Sequence, residues 1–393
     1  KAGQKIHELG QCNSCHFYGE EFPSGDAPTW APNLAMTKER LNPEWVKEWL
    51  YSPAEIMPGT KMPAPYIPDS NALSLNNAIE TWGESIMELE KIISSDTFNN
   101  NKNFILGGGS NLLFTQDYDG LIIHNKIAGI CILEDNETNV IVEVGGGVNW
   151  HEFVMWSVNQ KLSGIENLAL IPGTVGASPM QNIGAYGMEV KDSISKVHAF
   201  EIASKELKVF SNKDCNFGYR ESIFKEELKN KFIMMKVEFK LSKTALNKTT
   251  YGAIEEELKC LNLQPSPKNI AEAVIGIRSR KLPNPEKIGN SGSFFKNPIL
   301  KTTNFKELKK QFPEMVGYKI SEEETKIAAG WLIDNAGLKG YRKGDAGVHK
   351  NQALVLVNYG NASGQEIINL SKMIQETILK KYGIQIEPEV NIL

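Results

Sequence analysis

The segment Gly289-Asn-Ser-Gly-Ser-Phe-Phe-Lys-Asn-Pro298 combines residue types that suit proton chemistry. It places the hydroxyl of Ser293 on a glycine-flanked turn, shortly before the ammonium group of Lys296. Far along the chain, Glu387-Pro-Glu-Val390 supplies carboxylates. A serine hydroxyl is a poor acid unless neighbouring groups stabilise its alkoxide. Taken alone, Ser293 could be an ordinary turn residue, but the two segments together predict an enzyme.

A second chemical motif lies near the start of the chain, where Cys12-Asn-Ser-Cys-His16 has the C-x-x-C-H spacing of covalent haem attachment. Two thiols would bond to the haem, and the histidine would be one axial iron ligand. The segment Pro58-Gly-Thr-Lys-Met-Pro63 offers the other axial ligand, with Met57 as its competitor. A redox pair or half of a zinc site is the alternative interpretation. The predicted haem and iron ligands are Cys12, Cys15, His16 and Met62.

Together with Ala31–Leu34 and Trp45, these motifs make residues 1–84 resemble a small, all-α class I cytochrome c domain. The resemblance implies haem c as a cofactor and a redox partner for it. It also implies export, because c-type haem is attached outside the cytoplasm.

The composition sets limits on the remaining functions. The chain has 393 residues, of which 41% are hydrophobic and 23% charged, with a net charge of -4. These values are ordinary for a globular protein of two or three domains. There is no strongly basic region and no long apolar run, so neither nucleic-acid binding nor a membrane span is expected.

The elements that must position the chemistry begin at about residue 85. A helix is expected over Ser85–Ile93, followed by short β-branched runs between glycine clusters, which is an α+β pattern. The predicted strands are Phe104–Leu106, Gly120–His124, Val140–Val144, Lys196–Glu201 and Phe232–Leu241. After Lys243 helices become more frequent, with candidates at Ile270–Arg280, Glu324–Ala336 and Gly364–Tyr382.

Two glycine-rich loops could bind a phosphate-bearing cofactor. Gly107-Gly-Gly-Ser-Asn111 follows a predicted strand, and its amide groups can form a concave anion-binding nest. A triple glycine alone is more often a tight turn, and no βαβ unit surrounds this one, so it is not the dinucleotide fingerprint. The small residues of Pro172–Gly187 suit contact with a flat ring system and its ribityl-phosphate tail.

From about residue 88 onward, these loops and Phe217-Gly-Tyr-Arg220 resemble the UDP-N-acetylenolpyruvoylglucosamine reductase family. The resemblance implies an FAD-binding domain of the vanillyl-alcohol-oxidase (PCMH) type over residues 85–243 and an α/β substrate domain over 244–393. It also implies FAD and NADPH as cofactors. The residues that would bind FAD are Gly107, Gly108, Gly109, Ser110, Asn111, Gly173, Gly176, Ser178, Asn182, Gly184 and Gly187.

The same resemblance implies a reaction and assigns roles to residues. The enolpyruvyl group of UDP-N-acetylglucosamine enolpyruvate would be reduced by hydride from FAD, with NADPH as the reductant. Ser293 matches the proton donor, and Arg220 and Glu389 match the residues that stabilise the enol or enolate. Lys296 and Lys281 are placed in the sequence to help stabilise the Ser293 alkoxide. Arg220 could otherwise form a plain ion pair, and Glu389 could be a surface carboxylate. The residues that would contact the substrate or the nicotinamide diphosphate are Tyr219, Tyr251, Lys281, Asn297 and Gln352.

Two features depart from the family. One or two N-terminal strands of the flavin domain are expected to be absent, which predicts an exposed sheet edge or weakened FAD binding. The reductase part is expected in the cytoplasm, where NADPH and the nucleotide sugar are, whereas the haem part requires export. A natural fusion and a gene-model or assembly join are both open explanations.

Two other functions remain open: a flavocytochrome dehydrogenase that passes electrons from flavin to haem, and an electron-transfer cytochrome with an inert flavin domain. No metal site is expected in the reductase part, because His124, His151 and His198 belong to no evident motif. His349 is expected to be a packed histidine or one that supports the site indirectly, rather than a catalytic base.

Overall fold

The structure is a computed structural model that describes residues 86–250 and 253–393. The predicted haem ligands Cys12, Cys15, His16 and Met62, together with Tyr251, lie outside the described residues. In the described part of the chain, no helix is both long enough and apolar enough to span a membrane. Its α-helices are α1 Ile86–Ser94, α2 Asp96–Asn99, α3 Trp150–Asn159, α4 Ile254–Cys260, α5 Pro267–Lys281, α6 Thr302–Gln311, α7 Ala329–Asn335 and α8 Gly364–Tyr382.

The strands are short, and most are linked by turns. In chain order they are β1 Asn103–Leu106, β2 Leu112–Leu113, β3 Leu121–His124, β4 Ile130–Asp135, β5 Asn139–Gly145, β6 Gly184–Ala185, β7 Met188–Glu189, β8 Ile194–Glu201, β9 Glu206–Ser211, β10 Phe232–Ser242, β11 Gly289–Ser293, β12 Ile299–Lys301, β13 Gly317–Lys319, β14 Glu324–Ile327, β15 Arg342–Lys343, β16 Ala346–Val348, β17 Val355–Asn358 and β18 Asn391–Ile392. The five strands and three of the helices expected from the sequence are present.

An antiparallel sheet of five strands, in the order β4-β5-β10-β8-β9, forms the centre of the first half. Its middle strand, β10, is buried along nearly its whole length, as expected for a strand covered on both faces. Helix α3 contributes Trp150 and Phe153 to the core, where the Phe153 ring lies 4.8 Å from the ring of Phe239. The indole N–H of Trp150 donates to the Leu168 carbonyl at 2.9 Å, so the buried polar group is satisfied.

A smaller parallel sheet carries the first glycine loop. Strand β1 pairs in parallel with β3, and no helix lies between them. The described part of the chain therefore contains no βαβ unit at this loop, as predicted. Among the described residues, β1 has β3 as its only strand partner. The expected absence of one or two N-terminal strands of the flavin domain concerns residues before this range and stays a prediction.

The second half holds two antiparallel sheets, β11-β17-β16-β15 and β12-β14-β13, with helices α7 and α8. Part of one prediction was wrong here: Glu324–Ala336 was expected to be a single helix, but β14 occupies its first four residues and α7 begins at Ala329. Strand β14 pairs with both β12 and β13. Its Thr325 and Ile327 are buried, an alternation that suits a strand with neighbours on both sides.

Strand β18 returns the chain to the first glycine loop. It pairs in parallel with β2, which places Asn391 opposite Leu112 and Ile392 opposite Leu113. The backbone N–H of Asn391 also donates to the carbonyl of Asn111 at 3.1 Å. The carboxylate segment before β18 is thereby held beside the loop that follows β1.

Candidate active site

The two predicted cofactor loops lie against each other. A Cβ atom added to Gly108 would lie 2.7 Å from the Cα atom of Gly173, and one added to Gly107 would lie 2.9 Å from Thr174 Oγ1. Only glycine permits this approach of two backbones. The Ser110 hydroxyl donates to the Pro172 carbonyl at 3.2 Å. We call this arrangement of residues 107–111 and 172–174 the glycine cradle.

The cradle has an unused polar atom. Thr174 Oγ1 is buried and has no hydrogen-bond partner within residues 86–250 and 253–393. Buried polar atoms normally have partners, so a ligand that accepts or donates here is expected. The glycine backbone and the free hydroxyl both fit a phosphate-bearing group such as that of FAD.

The rest of the second loop is held by hydrogen bonds within the loop and to the neighbouring residues Gly146 and Gly218. The N–H of Gly176 donates to the Gly146 carbonyl at 2.8 Å, and the buried Ser178 hydroxyl donates to the Val175 carbonyl at 2.7 Å. Asn182 has a left-handed φ of 45° and donates from its side chain to the Gly218 carbonyl at 2.9 Å. The left-handed φ values of Gly109, Gly173 and Gly187 are 66°, 117° and 74°.

Arg220 and Glu389, which are far apart in sequence, form an ion pair next to this loop. Arg220 Nε lies 3.5 Å from Glu389 Oε1, and the side chains are only 20% and 12% exposed. The guanidinium also donates to the carbonyls of Asn182 at 3.2 Å and Gly184 at 2.5 Å. A Cβ added to Gly184 would lie 3.0 Å from Arg220 Nη1, so glycine at this position leaves room for the guanidinium group.

The Ser293 segment runs alongside Glu389. The backbone N–H of Glu389 donates to the Phe294 carbonyl at 2.8 Å, and Asn111 Nδ2 donates to the Glu389 carbonyl at 3.3 Å. Ser293 itself is exposed at the end of β11. The hydroxyl of Ser291 donates to the Leu112 carbonyl at 2.6 Å. The fold thus brings the predicted proton donor, the carboxylate and the glycine cradle into one region.

Burial determines the charge state of this region. It raises the pKa of Glu389, and the positive charges of Arg220, Lys225 and Lys296 oppose that rise only in part. Burial also lowers the pKa of Lys225, with the charge of Lys296 acting in the same direction. A protonated Glu389 is therefore more accessible near neutral pH than an exposed glutamic acid would be.

Two charged neighbours of Arg220 were missed by the sequence reasoning. Lys296 Nζ donates to Glu221 Oε1 at 2.9 Å, and Lys225 Nζ lies 3.7 Å from the same oxygen. Glu221 and Lys225 follow Arg220 in the chain, so a charged cluster directly after the Gly-Tyr-Arg motif was the available signal. The ammonium group of Lys296 is hydrogen-bonded to Glu221. The expected stabilisation of the Ser293 alkoxide by Lys296 stays a prediction.

The predicted substrate residues are divided between two places. Asn297 Nδ2 donates to the Tyr219 hydroxyl at 3.3 Å, and Lys326 Nζ lies 4.1 Å from the centre of the Tyr219 ring. Asn297 and Gln352 line one open pocket of about 290 Å³. Tyr219 does not line this pocket and is linked to it through its hydrogen bond with Asn297. The other residues that line it are Tyr318, Ala328, Gly330, Trp331, Asp334, Lys339, Asn351, Ala353 and Leu354.

Lys281 has no contact with the Arg220–Glu389 pair among those described above and does not line the pocket. It is exposed at the last position of α5. Asn351 Nδ2 donates to the Arg280 carbonyl at 3.4 Å, which brings this helix end beside the loop before Gln352. The expected role of Lys281 as a phosphate-binding cation stays a prediction.

The histidines were only partly anticipated. His349 is buried, as expected, and burial lowers its pKa. The sequence reasoning missed the surroundings of His198, whose Nε2 lies 2.7 Å from Glu238 and near Glu143. Lysine side chains already neutralise both carboxylates, at 3.1 Å from Glu238 and 3.0 Å from Glu143, so the group is an ion-pair network.

Two family profiles match the chain. The profile described as "FAD binding domain" matches residues 81–205, and the profile described as "UDP-N-acetylenolpyruvoylglucosamine reductase, C-terminal domain" matches residues 284–393. The first therefore spans the glycine cradle, and the second includes Ser293 and Glu389. The two matches agree with the expected order of an FAD-binding domain followed by a C-terminal reductase domain.

The chain is also similar to curated proteins over most of their length. The UDP-N-acetylenolpyruvoylglucosamine reductase of Flavobacterium johnsoniae is 53% identical over 312 residues, covering 79% of this chain and 92% of the relative. That of Chromobacterium violaceum is 47% identical over 290 residues, covering 73% and 85%. The crystal structure of the Thermus caldophilus enzyme shares the fold, with a TM-score of 0.53 at 23% identity over 78% of this chain and 89% of that one. From about residue 81 onward, the chain belongs to the UDP-N-acetylenolpyruvoylglucosamine reductase family of FAD oxidoreductases.

Proposed function

We propose that this chain reduces UDP-N-acetylglucosamine enolpyruvate to UDP-N-acetylmuramate with NADPH, a step in peptidoglycan precursor synthesis. The observation that carries the proposal is the contact between Arg220 and Glu389 at 3.5 Å, beside the Ser293 segment and the glycine cradle. The names of relatives at 47% and 53% identity support the substrate.

FAD is the cofactor that the cradle fits. The backbone amides of residues 107–111 and the free Thr174 hydroxyl would hold its phosphates, and Gly107 and Gly108 let the two loops approach each other closely. When bound, FAD would accept hydride from NADPH and donate it to C3 of the enolpyruvyl group. We assign residues 85–243 to FAD binding and 244–393 to substrate binding, consistent with the two profile matches.

Arg220 and Glu389 would stabilise the charge that develops on the substrate. Addition of hydride at C3 leaves an electron pair at C2, which the adjacent carboxylate delocalises as an enolate. The Arg220 guanidinium offers a fixed positive charge to those oxygens, and a protonated Glu389 can donate a hydrogen bond to them. Such preorganised groups act strongly in a site from which water is largely excluded. The raised pKa of Glu389 supports the protonated form.

Ser293 would complete the reaction by giving its proton to C2. Its exposure at the end of β11 leaves the hydroxyl accessible to a bound substrate. One hydride at C3 and one proton at C2 saturate the double bond and leave a lactyl ether. Asn297, Gln352 and Tyr219 would bind the rest of the substrate, because the first two line one pocket and the third is bonded to Asn297.

The test is NADPH oxidation by the purified chain supplied with FAD. We expect oxidation that depends on UDP-N-acetylglucosamine enolpyruvate, and a product heavier by two hydrogens in mass spectrometry. UDP-N-acetylglucosamine without the enolpyruvyl group is the matched control and should give no oxidation. The proposal would be wrong if the chain retained FAD but oxidised NADPH at the same rate with either compound.

A further inference from the structure

Three charged side chains are joined through the Glu221 carboxylate, directly after Arg220 in the chain, and we call them the Lys225 cluster: Glu221, Lys225 and Lys296. The two lysines share Glu221 Oε1, at 3.7 Å for Lys225 and 2.9 Å for Lys296. Their side chains are 22%, 27% and 32% exposed for Lys225, Lys296 and Glu221, so solvent screens them only in part. The cluster links the loop after Arg220 to the segment that follows Ser293.

Lys225 has a second contact that bears on Arg220 directly. Its Nζ donates to the carbonyl oxygen of Arg220 at 3.0 Å. Arg220 adopts a left-handed φ of 58°, which is unfavourable for a residue with a long side chain. A conformation of this kind persists only where surrounding contacts enforce it. The ammonium group of Lys225 is one such contact.

Lys225 also acts on Glu389 through its charge. The charged groups that act on the Glu389 carboxyl are Arg220, Lys225 and Lys296, which favour ionisation, and Glu221, which opposes it. Arg220 pairs with the carboxyl directly, whereas Lys225 and Lys296 are bound to Glu221. Loss of Lys225 would therefore make a proton harder to remove from Glu389, in addition to its effect on the Arg220 backbone.

We propose that Lys225 is a positioning residue for the Arg220–Glu389 pair, acting through its hydrogen bond to the Arg220 backbone and through its positive charge. This inference rests on the proposed function, since it assigns Lys225 to the step in which the substrate takes up a hydride and a proton. Lys225 is not expected to affect NADPH-dependent reduction of FAD.

The test compares Lys225→Met, which removes donor and charge, with Lys225→Arg, which keeps both. Lys229→Met is the matched control, because Lys229 is an exposed lysine of the same loop. Three readouts are needed: rapid-mixing rates of the NADPH and substrate half-reactions, the pH profile of the substrate half-reaction, and hydrogen exchange of residues 218–221.

For Lys225→Met we expect an unchanged NADPH half-reaction and a substrate half-reaction slowed roughly tenfold or more, as for a lost charged hydrogen bond. The limb of the pH profile that Glu389→Gln abolishes should move to higher pH, and residues 218–221 should exchange faster. Lys225→Arg should restore all three readouts, and Lys229→Met should match the wild type.

The inference would be overturned if Lys225→Met kept the wild-type rate, pH limb and exchange, or slowed both half-reactions in proportion. If that variant fails to retain FAD, Lys225→Gln decides the matter, since it keeps a donor without the charge. A displaced pH limb with normal exchange would support the inference, and an unmoved limb would refute it. A wild-type chain that binds FAD but never reduces the substrate would contradict the proposed function instead.

Discussion

The substitution Gly108→Ala tests the glycine cradle. The added Cβ would lie 2.7 Å from Gly173 Cα and 3.1 Å from its carbonyl carbon. Carbon atoms make favourable contact from about 3.5 Å outward, so the two loops must part by roughly 0.8 Å. The contact is with backbone atoms of Gly173, which cannot rotate away as the end of a flexible side chain could. The apo-protein can part its loops, whereas bound FAD would require them together.

Overpacking of this kind typically costs about 1–3 kcal/mol. If the cost falls on the FAD-bound state, the Kd for FAD should rise by about 5- to 150-fold. Quenching of FAD fluorescence on titration into the apo-protein gives the Kd, and thermal unfolding of the apo-protein checks the fold. Gly289→Ala is the control, since its Cβ would lie an ordinary 3.6 Å from that of Asn358. Unchanged FAD affinity in a folded Gly108→Ala protein would refute the cradle as the FAD site.

Three further predictions follow from the same structure. Ser293→Ala should leave FAD reduction by NADPH intact and slow the substrate half-reaction by about 100-fold or more in rapid-mixing experiments; equal slowing of both would contradict its role. Because burial raises the folded-state pKa of Glu389, its contribution to stability is present below the unfolded pKa and is lost as pH rises through the folded pKa. In urea titrations at increasing pH, the unfolding free energy of the wild type should thus fall relative to that of Glu389→Gln between the unfolded-state and the folded-state pKa of Glu389. Ser363→Ala removes the bond from the Glu366 backbone N–H to the Ser363 hydroxyl in the capping box of α8 and should cost about 1 kcal/mol in urea unfolding, with normal NADPH oxidation.

The sequence predicts long, self-contained elements well. Helix α8 was expected with its observed bounds. In the structure a serine N-cap precedes its amphipathic run, and Gly383 ends it with a left-handed φ of 68°. Strand β14 was mistaken for the start of a helix. Its four residues are a strand because β12 and β13 lie on either side of it, and those pairings join segments that are separate in the sequence.

For the site, the motifs were informative about Arg220, Glu389 and the cradle glycines, and the structure brings these residues together. Lys225 was missed because its importance depends on the loop folding back, so that its ammonium group meets the Arg220 carbonyl. No periodic pattern in the sequence encodes that reversal. The contact of His198 with Glu238 was missed for a similar reason, since it forms across neighbouring strands.

The contact between Asn111 and Glu389 joins residues 278 positions apart. Contacts of such long range require closure of a large loop of chain, and they form late in folding. A nascent chain can fold its five-stranded sheet well before residue 389 has been synthesised, because all five strands precede residue 243. We therefore expect the Arg220–Glu389 pair and the closed cradle to appear only at the last stage of assembly. Catalytic competence would then report completion of the whole reductase fold, whereas sheet formation would not.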